Sequence, residues 1–71
     1  MNTMPGNRIE VGKPQGNQPG YQVAAIINGS VKMYDIVRTS DEAVEIATEY
    51  QTDFPTLPIW VNPAAGLNVN F

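Results

Sequence analysis

The dipeptide Asn28-Gly29 constrains this chain more than any other feature. It stands between two runs rich in Val, Ile and Tyr, and residues 21–38 therefore read as a β-hairpin. The physical reason is that a two-residue type I′ turn needs positive φ at both central positions, which Asn and Gly tolerate. Register then decides which side chains share a face. A two-residue loop opposes Ile27 to Ser30 and Val23 to Tyr34, and divides the apolar residues between both faces. A three-residue bulged loop keeps odd positions opposite odd ones. One face then carries Tyr21, Val23, Ala25, Val31, Met33 and Val37, interrupted only by Asp35. Asn-Gly argues for the first register; a single clean inner face argues for the second, which is favoured slightly. Ile26 is expected half exposed near the tip.

A helix follows over residues 39–51. Thr39-Ser40-Asp41-Glu42 matches a capping box, with Thr39 as N-cap and Glu42 reaching back. Ala43, Ile46, Ala47 and Tyr50 recur at helical spacing, and Val44 widens their stripe. Packed on the odd face of the hairpin, this stripe makes Ile46 the helix residue whose truncation is expected to cost most. Residues 52–58 read as a connector broken by Pro55 and Pro58. Ile59-Trp60-Val61 lies between Pro58 and Pro63, which suits a short edge strand, where a missing backbone donor is tolerated. The expected architecture is a small α+β domain of order β-β-α-β, with the third strand beside the hairpin.

Residues 21–62 form the expected folding unit, flanked by arms at 1–20 and 63–71. In the first arm, 12 of 20 residues are Pro, Gly, Asn or Gln, a composition that resists packing. Composition favours a flexible tail here; the alternative is an arm ordered by a partner, since Ile9 and Val11 alternate with Arg8 and Glu10 as in a short strand laid on another surface. Some 42 residues bury too little surface to be comfortably stable alone; domains of this size draw on disulfides, a metal or a partner. The chain has no Cys and no His, so oligomerisation, a host surface or arms folded back on the core remain.

Function is bounded mostly by exclusion. Four basic residues, Arg8, Lys13, Lys32 and Arg38, are too few and scattered to track a nucleic-acid backbone or an anionic membrane. The longest apolar run, residues 23–27, is too short for a bilayer, and no secretory leader is read at Met1. The cytoplasm or the interior of a viral or other assembly is the expected location. Without His or Cys, and with Ser30 and Ser40 explained as turn and helix-start residues, no catalytic set emerges. No enzyme activity, cofactor, metal or small-molecule substrate is expected.

Three features point to a protein partner or to self-association. Asp41, Glu42, Glu45 and Glu49 load the helix with acid, and no basic residue follows Arg38. Such a face is either merely solvated or steered onto a basic partner. Trp60 belongs either to the core or to a binding hot spot. Its strand neighbours Ile59 and Val61 point the other way, so one side of this strand needs a cover besides the helix. Leu67, Val69 and Phe71 alternate with Asn, which suits a segment that adds a strand to another sheet or folds back over Trp60. The resulting expectation is a non-catalytic structural or assembly subunit, such as a virion decoration or linker protein. The alternative is a small phage- or mobile-element-encoded inhibitor or adaptor that docks its acidic helix on a basic host protein.

Overall fold

In the computed structural model, residues 4–16 and 18–67 are described. Four strands and one helix follow one another as β1 (Arg8–Gly12), β2 (Tyr21–Ile27), β3 (Ser30–Val37), α1 (Ser40–Asp53) and β4 (Ile59–Val61), with a single 3-10 turn at Pro63–Ala65. The strands form one mixed sheet in the order β3-β2-β1-β4. The α+β class and the sequence of hairpin, helix and short edge strand hold.

The departure lies at the N-terminus. Residues read as an arm supply β1, which lies inside the sheet, antiparallel to β2 and parallel to β4. The third strand of the sequence reading, β4, therefore sits beside β1 and not beside the hairpin. Apart from Gly12 at the end of the strand, the Pro and Gly residues of 1–20 lie in the segments on either side of β1. Within β1, Ile9 and Val11 are both 0% exposed. Burying two such side chains contributes about 3–6 kcal/mol, more than enough to order a five-residue strand whose neighbours already exist. The alternation read as a strand for a partner was a strand for this chain's own sheet. Ile9 N–H donates to the Pro58 carbonyl and Asn62 N–H to that of Val11, both at 2.8 Å, which clamps β4 at its two ends.

The hairpin reconciles both registers. Asn28 and Gly29 have φ of 53° and 80°, and Ile27 opposes Ser30, as a two-residue turn requires. Beyond the tip a bulge shifts the pairing: Ile26 faces Val31, whereas Ala25 faces Met33. Lys32 is the extra residue, and from there odd opposes odd down to Tyr21 and Val37. One inserted residue thus satisfies the turn chemistry and the core together. Ile26 is buried, not half exposed, because its cross-strand neighbours are Arg8 on one side and Val31 on the other.

The core lies between the helix and the odd face of the sheet. Ile9, Val11, Val23 and Ala25 meet Ala43, Ala47, Tyr50 and Leu57. Asp35, the one acid on this side of β3, accepts a 2.6 Å hydrogen bond from the Tyr50 hydroxyl. Burial and this hydrogen bond, together with the carboxylate charge, push the Tyr50 phenol far above its ordinary value. Tyr50 and the two alanines fill the centre of the interface, and Ile46 packs at its margin. The helix residue with most to lose is therefore Tyr50, not Ile46. The capping box forms as expected: Thr39 Oγ1 accepts from Glu42 N–H, and Glu42 Oε1 accepts from Thr39 N–H.

Candidate interaction surface

A strand turns successive side chains to opposite faces, so a sheet with one helix has one covered face and one open face. Here the odd residues of β1, β2 and β4 point to the helix, with Ile59 and Val61 packed on the core. Their even neighbours build the open face. Across it run four rows: Tyr34 and Ile36 on β3, joined by Val31 beyond the bulge; Gln22, Ala24 and Ile26 on β2; Arg8 and Glu10 on β1; and Trp60 on β4.

The two halves of this face differ chemically. On the β1–β4 half, the buried Arg8 forms an ion pair with Glu10 at 2.7 Å. Its Nη1 donates to the Pro5 carbonyl at 2.8 Å, and its guanidinium lies 5.8 Å from the centre of the Trp60 ring. Asn62 Nδ2 donates to the other Glu10 oxygen at 3.4 Å. Arginine prefers such planar, stacked settings, and both charges here are neutralised by partners on the same face. The residues before β1 are tied down as well. Gly29 N–H donates to the Gly6 carbonyl, and Asn28 N–H to Asn7 Oδ1, so the hairpin tip is anchored to the approach to β1.

Apart from Lys32, the exposed extra residue of the bulge, the β2–β3 half carries no charge. Val31, Tyr34 and Ile36 are 52%, 59% and 46% exposed, a row of large apolar side chains facing water. Beside them lies a shallow recess of about 290 Å³, walled by Gln15 and Gln18 from the β1–β2 connection and by Gln22, Val31, Tyr34 and Ile36. Scattered apolar residues on a surface need no explanation; a contiguous row on one uncovered sheet face does. Carboxamides both donate and accept hydrogen bonds, so the recess offers polar contacts without selecting for a charged ligand.

The residues singled out from sequence separate into three places. Trp60 is half-buried on the open face, at the far side from Tyr34, and not in the core under the helix. Asp41, Glu45 and Glu49 are exposed on the helix, and among the described residues none of them enters an ion pair. Glu42 is exposed too, but its carboxylate is engaged with the Thr39 backbone and hydroxyl. Leu67 packs against the core. Val69 and Phe71 lie outside the described residues. The open face and the acidic helix thus sit on opposite sides of the sheet.

Sequence reasoning missed the β3 row. Tyr34 and Ile36 alternate with the core residues of the same strand, and that signal was available: an exposed-side strand position occupied twice by a large apolar residue. The extent of the open face depends on β1, whose place in the sheet follows from pairing with distant strands. Compared with protein-family models, with curated proteins and with solved structures, the chain matches none of them.

Proposed function

We propose that this chain is a non-catalytic protein–protein interaction module, a small structural or assembly subunit that works by docking the open face of its sheet. The observation that carries this reading is the uncharged row Val31, Tyr34 and Ile36, standing about half exposed on a sheet face that no helix or strand among the described residues covers. Tyr and Trp dominate binding hot spots because they bring large, stiff, amphipathic area at low entropic cost, and this face carries Tyr34 and Trp60.

The reading is tested by placing a photo-crosslinking amino acid at Tyr34, at Trp60 or at Glu49, in cells that express the chain. The expected result is one and the same adduct from Tyr34 and Trp60, competed away by excess unmodified protein, and none from Glu49. A second reading is kept because Glu45 and Glu49 are exposed and unpaired among the described residues: an inhibitor or adaptor that lays its helix on a basic protein. Adducts from Glu49 alone, lost at high salt, favour that reading and defeat the first.

A further inference from the structure

We infer that the occupant of the open face is a second copy of this chain, packed sheet to sheet about a two-fold axis. The inference rests on the docking-face reading above and names its partner.

The argument is electrostatic. In a two-fold contact the same patch meets itself, so every uncompensated charge lies near its own image and repels it. The helix side fails this condition: Asp41, Glu45, Glu49 and Asp53 are exposed there, and no basic residue follows Arg38. The open face comes much closer to it. Arg8 and Glu10 already neutralise one another at 2.7 Å, which leaves Lys32 at the bulge, against four acids on the helix side. Its β3 row is apolar or aromatic, and its glutamines donate as well as accept, so each can pair with an image of itself. A surface that is neutral, apolar and self-complementary in hydrogen bonding suits its own copy better than it suits a charged partner.

Size sets a condition. A molecule of 28 × 27 × 23 Å has an outline no larger than the ~800 Å² per partner of a standard interface, so a stable dimer has to engage most of this face. The whole face is then engaged, which brings the β3 row of each copy over the sheet of the other. Trp60 and the recess walled by Gln15, Gln18 and Tyr34 become contact points for the partner's side chains. Sheets that pack face to face lie about 10 Å apart, which side chains of this size bridge.

The test is the solution mass of the full chain by light scattering, followed from micromolar to millimolar concentration. The expected result is a mass that rises toward twice 7.8 kDa. Tyr34→Glu buries an unpaired charge in the contact and is expected to weaken the dimer at least ~100-fold. Glu49→Gln is expected to leave it unchanged. Because the chain has no cysteine, Ile36→Cys and Glu49→Cys give single thiols. A bifunctional maleimide long enough to span the ~10 Å between packed sheets, which a disulfide cannot reach, is expected to link two copies through position 36 and not through position 49, a readout that stands if Tyr34→Glu does not fold. A wild-type chain that stays monomeric throughout overturns self-docking, and the photo-crosslinks then decide the docking-face reading separately. A dimer that withstands Tyr34→Glu and cross-links through position 49 overturns both.

Discussion

At the scale of single residues, two positions carry constraints that their side chains alone do not suggest. Gly20 has φ of 98°, and a Cβ there would be driven into the Val37 carbonyl oxygen. Gly20→Ala is expected to cost about 2 kcal/mol or more, since positive φ and a backbone clash add, and urea unfolding measures it. Composition alone made Gly20 one of several glycines in an unfolded arm; only the close passage of β3 gives it a role. Tyr50 is the second case. Its phenol is held above its ordinary value, so the folded state keeps the proton more tightly than the unfolded state. The stabilisation is complete below the unfolded pKa of about 10 and is lost as pH rises above it. Tyr50→Phe is expected to cost about 1 kcal/mol near neutral pH, where the hydrogen bond to Asp35 is lost. The gap between the two proteins is expected to close at alkaline pH, because only the wild type loses this contribution there. Urea titrations across that range check the sign.

At the scale of elements, the hairpin, the helix and β4 were legible, and the reasons are local. Asn28-Gly29 imposes its own backbone, Thr39 and Glu42 close their own capping box, and two prolines bracket β4. What was not legible depends on distant neighbours. β1 is five residues long and has only Ile9 and Val11 to mark it, so its place between β2 and β4 follows from pairing, not propensity. Leu57, read as part of a connector, is buried in the core because the chain must turn back under the helix to reach β4. The candidate surface shared this fate. Trp60, read as either core or hot spot on a strand whose second side needs a cover, stands half-buried on the open face. Tyr34 and Ile36 were not singled out, because the width of the open face is set by β1. The element-scale prediction follows. Deleting residues 1–12 removes Ile9 and Val11, about 3–6 kcal/mol of burial against a total of about 4–10 kcal/mol for a chain of this length. Loss of the cooperative thermal transition is the expected outcome, whereas a dispensable arm would leave residues 21–62 folded.

At the scale of the whole molecule, the structure divides its surface by charge. Acid is collected on the helix, and the opposite side of the sheet is neutral. The helix pays a small cost for this, since Asp41, Glu45 and Glu49 are like charges one turn apart. Glu45→Lys turns two repulsive i,i+4 pairs into attractive ones and is expected to raise stability by about 0.5–1 kcal/mol, seen as a melting temperature higher by several degrees. If the helix is only a solvated face, that variant keeps its association unchanged; if the helix is the docking element, it gains stability and loses its partner. The sheet order has one more consequence, in time instead of energy. Ile9 pairs with Ile59, about fifty positions further along the chain. A ribosome adds about 5–20 residues per second, so the hairpin is made about one to five seconds, and the helix about one second, before Val61 completes β4. Until then β1 presents an unpaired edge, and the nascent chain is open to strand pairing with its neighbours. Closure of the sheet waits on the last strand to be made.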